Sequence, residues 1–269
     1  MKKALIRNYI MSNVMIVIGT SLFNPVLYLF LEQSNFSYTD ISLYLSIFWL
    51  VTFISELPCG FVCDFIGHRE SMICSCLLRF IGLIILVLSR SLYLLIISAI
   101  LTGIAESLLS GTLVSWFVNE SHLHNIDINE QVVFSKASFI SNFFSMLVGF
   151  LSAQILYSIH ISLPVSISSI VFLAATFYFL FLFPKTKKKH KEQKNYLEDL
   201  NQMTSEVLRF FKNNPEIIVS FLLLFIPSLL DLGPSNQWPS VLNSTSAVYI
   251  NGYMWIMIMG ISMLANFVI

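Results

Sequence analysis

Apolar runs of about twenty residues recur along this chain, and a helix needs about that length to cross a hydrocarbon core. They fall near 8–31, 41–62, 71–88, 92–118, 132–157, 162–183, 217–232 and 247–269, with charged or turn-forming residues between them. Composition agrees. At 56% hydrophobic and 11% charged, with a mean hydropathy of +0.78, a soluble domain would leave far too much apolar surface in water. The sequence therefore predicts an all-α polytopic membrane protein of roughly eight spans, with the lipid bilayer as its first partner.

The net charge of zero hides a local imbalance. Alternating the spans from a cytoplasmic start places Lys2, Lys3, Arg7, Arg69, Lys136, the lysines between Lys185 and Lys194, Arg209 and Lys212 in inner loops. Only Arg90, among basic loop residues, falls outside, so the chain is expected to sit in the cell membrane with its N-terminus cytoplasmic. The first run is read as a retained span. It is longer than the apolar region of a signal peptide, and Glu32-Gln33-Ser34-Asn35 follows it in place of a small-residue cleavage pattern.

Between the sixth and seventh runs lies a change of composition. Residues 1–184 are expected to form a six-helix bundle, 185–214 a basic cytoplasmic linker, and 215–269 about two further spans. The linker opens Lys185-Thr-Lys-Lys-Lys-His-Lys191, which suits either anionic lipid or the fixing of topology. Leu197, Leu200, Met203, Val207 and Phe210 then repeat near a helical period, predicting an amphipathic helix. Lysines beside a span are not a nucleic-acid footprint, and no nucleic acid is expected as partner.

The densest chemistry lies between the second and third runs, in Glu56-Leu-Pro-Cys-Gly-Phe-Val-Cys-Asp-Phe-Ile-Gly-His-Arg69. Gly60 and Asp64 share a helical face, and Gly67 lets the chain reverse without a side chain in the way. Gly60-x-x-x-Asp64-x-x-Gly67-His68-Arg69, after Glu56-x-Pro58, resembles the loop signature of major facilitator superfamily transporters. Phe65 and His68 stand where that signature usually carries basic residues. Pro25-Val-Leu-Tyr-Leu, Gly103-Ile-Ala-Glu-Ser-Leu-Leu-Ser-Gly111 and Asn236-Gln-Trp-Pro239 are also similar to family segments, the last to a pattern of multidrug and macrolide efflux members.

The resemblance implies two six-helix halves around a cavity, each a pair of three-helix repeats. It implies a cytoplasmic gating loop of Glu56, Gly60, Asp64, Gly67 and Arg69, with Asp64 capping a helix of the second half. The chain ends as the eighth run completes, so the expectation is a major-facilitator-like six-helix N-terminal half plus two helices of an incomplete second half. A second chain or a further C-terminal segment would complete it, and the chain alone is expected to be poorly stable.

Polar residues within the runs are costly in lipid and are the candidate cavity or coupling positions. They are Asn24 with Pro25 in the first span, Glu106 in the fourth and Asn142 in the fifth, with Trp238 after the seventh. A carboxylate at the depth of Glu106 must be protonated, paired or in water. Proton coupling, cation binding and a structural hydrogen bond all remain open for it. Arg79 can pair with Glu106 or snorkel along its own stem, while Asp231 reads as a solvated helix end.

Cys59, Cys63, Cys74 and Cys76 gather with His68 near one loop, yet they sit on helix ends that cannot converge on an ion, so no metal site is expected. No phosphate-binding loop, metalloprotease helix or nucleophile elbow occurs, so neither a cofactor nor an enzymatic activity is expected. The function implied is secondary transport, with export of small amphipathic or drug-like solutes. The alternative is a non-transporting membrane subunit or sensor that retains part of the fold.

Overall fold

The computed structural model describes residues 2–184 and 251–268, with scattered positions between 205 and 241. Among the described residues there is no strand, and six helical segments are long and apolar enough to cross a membrane. The first is α1 (Lys2–Phe23) continued by α2 (Leu27–Gln33), and the second and third are α3 (Tyr38–Ile66) and α4 (His68–Leu88). The fourth is α5 (Leu92–Leu109) with α6 (Thr112–Leu123). The fifth is α7 (Glu130–Leu151), running through a π-helical turn into α8 (Tyr157–Ile159), and the sixth is α9 (Leu163–Phe177) with a second π turn, Tyr178–Leu182. A shorter apolar helix, α10 (Asn251–Val268), follows.

Local chemistry sets the boundaries. Ser37 and Asp40 form a capping box at the start of α3: the Asp40 amide donates to Ser37 Oγ at 3.2 Å, and the Ser37 amide to Asp40 Oδ2 at 3.0 Å. Asn129 Oδ1 accepts the Val132 amide at 3.2 Å and opens α7. Gly67, at φ +105°, makes the single-residue reversal between α3 and α4.

The spans pack closely because small residues face each other. α5 lies against both α3 and α4, α4 against α9, and α1 against α7 and α9. A Cβ on Gly82 would stand 2.7 Å from Thr102 Cγ2, and one on Gly103 would stand 2.9 Å from the Phe48 carbonyl. Hydroxyls then bond across the contacts: Ser98 Oγ donates to the Gly82 carbonyl at 2.8 Å, Ser75 to Ala105 at 2.6 Å and Ser168 to Gly19 at 2.6 Å. In lipid such bonds and close van der Waals contact hold helices together, since tails are as apolar as leucine. The rings of Tyr9, Phe117 and Phe134 pack against one another in tilted and edge-on pairs, and the Trp116 and Phe183 ring centroids lie 4.4 Å apart.

Among the described residues, many large apolar side chains lie on the outer surface. Phe53 (76% exposed), Phe181 (73%) and Leu182 (76%) point away from the protein, which is unfavourable in water and ordinary in lipid.

By contacts the chain divides into two compact units, Met1–Thr186 with Pro239–Ile269, and Lys187–Trp238. In the second unit, 209–213 are helical and Phe210 is exposed. Leu197, Leu200, Met203 and Val207 of the expected linker helix, like most of the expected seventh span with Asp231, lie outside the described residues.

Candidate functional site

The end of α3 presents Glu56, Gly60 and Asp64 along one exposed face, one helical turn apart. A Cβ on Gly60 would meet nothing within 4 Å. Asp64 makes no hydrogen bond or ion pair among the described residues. Across the turn, Arg69 behaves oppositely. Its side chain is buried, Nε donates to the Phe179 carbonyl at 2.9 Å, and an amino group donates to the Leu180 carbonyl. Both carbonyls belong to the last turn of the sixth span, where the Phe183 amide turns to Tyr178 and Pro184 has no amide to give. A guanidinium fork meets both acceptors and sits at the negative end of the helix dipole. Glu70, 3.7 Å away, adds a partial ion pair. His68 Nε2 lies 3.2 Å from Asn119 Nδ2 on α6, tying the loop to the fourth span.

Midway along the fourth span, Glu106 Oε2 accepts from an Arg79 amino group on α4. The arrangement is asymmetric. Arg79 is 3% exposed and Glu106 is 39% exposed. Behind the guanidinium, 5.5 Å from its carbon, is the ring of Phe172 on α9. The other edge of that ring occupies the place where a Cβ on Gly19 would be, 2.8 Å from Cε2 and Cζ. Glu106, Arg79, Phe172 and Gly19 therefore form a continuous line from the fourth span through the third and sixth to the first. Among the described residues, Arg79 Nε has no hydrogen-bond partner.

Pro25 breaks the first span and is buried, whereas Asn24 is exposed. Proline has no amide to give the Ser21 carbonyl, and the Val26 amide turns to Phe23, at 3.0 Å, leaving the Leu22 carbonyl as well. Ser152, at the π turn of the fifth span, donates its hydroxyl to that Leu22 carbonyl. Nearby, Ser21 Oγ donates to Ser145 Oγ at 2.7 Å.

Asn142 is half-buried and does not stand alone. Its amide nitrogen donates to Ser262 Oγ on α10 at 3.1 Å. One face of α7 thus receives α10, where Trp255 Nε1 donates to the Ser145 carbonyl at 3.0 Å and the indole covers Gly149. Trp238 is half-buried in a helical turn at 237–239 and belongs to the other unit.

Sequence reasoning named Arg69 but not its reach to the sixth span, and it missed two residues that organise these contacts: Phe172 backs Arg79, and Trp255 seats α10 on Gly149. A glycine in one span and an aromatic in another carry no pairing signal until the helices' rotations are known. His68 and the four cysteines do not converge. Among the described residues no group of three or more metal-ligating side chains is close enough to hold an ion.

Six helices long and apolar enough to cross a membrane, a glycine-turned loop locked to the sixth span and an ion pair midway along the fourth are the features of a polytopic helical membrane protein. The Major Facilitator Superfamily family model matches residues 9–269, and the chain belongs to that family. It is thus a membrane transporter by family and an all-α, major-facilitator-like protein by fold. No curated protein matches it.

Proposed function

We propose that the chain works in secondary transport, exporting small amphipathic or drug-like solutes across the cell membrane from a cytoplasmic N-terminus. The observation that carries this reading is Glu106: a half-exposed carboxylate at mid-span, backed by a buried cation, in a family that moves solutes. Such a group is costly in hydrocarbon and is retained where it faces a polar path or ligand. The direction rests on the likeness of Asn236-Gln-Trp-Pro239 to efflux members and on the aromatic content.

In this reading Glu56, Gly60, Asp64, Gly67 and Arg69 form the cytoplasmic gate. Arg69 anchors it to the sixth span, while exposed Asp64 and the open space over Gly60 leave room for a helix end from a second chain or a further segment. Asn24, Pro25, Asn142 and Trp238 are the remaining cavity or coupling candidates.

The test is reconstitution in vesicles with the cytoplasmic face outward and an imposed ion gradient. Gradient-dependent accumulation of a fluorescent amphipathic dye, lost in Glu106→Gln, is the expected result. A dye signal unchanged by Glu106→Gln overturns the role of Glu106, and the absence of any gradient-dependent signal overturns export by this chain.

A further inference from the structure

We infer that the free carboxylate oxygen of Glu106 is a preorganised acceptor for a protonated amine, with Arg79 the fixed countercharge behind it. The inference rests on the export reading and narrows its solute to amphipathic amines.

The asymmetry of the pair carries the argument. Arg79 is always charged, is almost wholly buried, and has Glu106 as its ion-pair partner among the described residues. Glu106 commits Oε2 to that contact, and Oε1 has no hydrogen-bond partner among the described residues. The pair is therefore a dipole whose negative end faces the accessible side and whose positive end is sealed under Phe172.

A solute meeting this dipole meets the carboxylate first. An anion is repelled by the near charge and cannot reach the guanidinium. A proton delivered to Glu106 would cancel the charge that Arg79 requires and leave a cation uncompensated inside the membrane, at considerable cost. An ammonium group on Oε1 has neither defect. It forms a charge-assisted hydrogen bond and leaves the Oε2 contact in place. Arg79 also holds one oxygen, so the carboxylate loses little rotamer freedom on binding.

The packing around the pair holds it at a fixed orientation. Gly19 admits the Phe172 ring, and Ser168 Oγ pins the same turn of α9 to the Gly19 carbonyl at 2.6 Å. On the other side Gly103, one turn before Glu106, lies against Phe48 and Val51, while Thr52 Oγ1 reaches the Gly103 carbonyl at 3.3 Å.

The experiment uses the purified 269-residue chain in nanodiscs of zwitterionic lipid, with protein-free discs as blank. The probes are dansylcadaverine, an amphipathic primary amine, and its neutral N-acetyl derivative, titrated by fluorescence. The expected result is an amine preference of about tenfold or more, kept in Glu106→Asp and abolished in Glu106→Gln. Because Glu106→Gln strands a buried cation, the Arg79→Gln/Glu106→Gln double variant is titrated beside it, with helicity and monodispersity as the folding check. Equal binding of the two probes overturns the inference and leaves export of amphipathic solutes standing. An amine preference that survives in the folded double variant also overturns it, and failure of both probes to bind counts against the inference and the export reading together.

Discussion

The hydroxyl of Ser152 meets the carbonyl of Leu22, an acceptor that exists only because Pro25 ends the regular ladder of the first span. A break in one helix is thus answered from the π turn of another. Ser152→Ala leaves that carbonyl unmet in a dry place. The loss expected is about 1 kcal/mol, the size measured for single hydrogen bonds between membrane helices. Unfolding by graded replacement of mild detergent with a denaturing one measures it, and Ser152→Thr should retain most of the stability.

Arg69 holds the loop by two carbonyls of a helix end, not by a carboxylate alone. Lysine can reach one of those oxygens but cannot span both with a planar fork. Arg69→Lys is therefore expected to lose about half of the effect of Arg69→Ala, itself about 2 kcal/mol from bonds to a charged donor. Limited tryptic proteolysis at the lysines beginning at Lys185 should be faster in both variants, in the same order.

The positions of the first six spans were legible in the sequence because hydropathy needs only length. The loop after α3 was legible because Gly67 must take a positive φ and Asp64 and Arg69 stand at fixed offsets from it. What could not be read was rotation. The spans are apolar nearly all round, so the sequence left Arg79 free either to pair with Glu106, as it does, or to snorkel, and nothing told that Asn142 would find Ser262 on α10. The two π turns and the bend at Gly111, where φ is +67°, were equally hidden, since each depends on packing as well as on local residue type.

Gly19 is a position where the absence of a side chain is structural, because the Phe172 ring fills the space. Gly19→Leu should displace that ring, destabilise the bundle by about 1–3 kcal/mol as overpacking does, and disturb Arg79 beyond it. Gly19→Leu combined with Phe172→Ala is expected to recover part of the loss, a coupling that a double-mutant cycle reads directly. Strict additivity would show that the two residues do not share the space.

The proposed orientation, with a cytoplasmic N-terminus, rests on the basic residues, and a reporter enzyme active only outside the cell tests it. Fusions after Ser37 and after Gln237 should be active and a fusion after Lys191 inactive, because the lysines beginning at Lys185 resist translocation. Activity at Lys191 would reverse the assignment of every loop.

The Arg79–Glu106 pair predicts an unequal pair of single substitutions. Glu106→Gln leaves a guanidinium that is 3% exposed with no carboxylate against it, whereas Arg79→Gln leaves a carboxylate that is 39% exposed and, on the proposed function, faces a polar path. Breaking a buried pair costs about 3–5 kcal/mol, most of it the stranded charge, and a stranded charge with access to solvent costs less. Glu106→Gln should therefore fall near that range and Arg79→Gln well below it. Removing both charges leaves two amides able to bond each other, so the double variant should be more stable than Glu106→Gln alone. Unfolding of the four proteins in the same detergent, or in lipid nanodiscs by heat, gives the cycle. Equal losses from the two single variants, or a double variant as unstable as the sum, would mean that the two side chains are not balanced against each other inside the membrane.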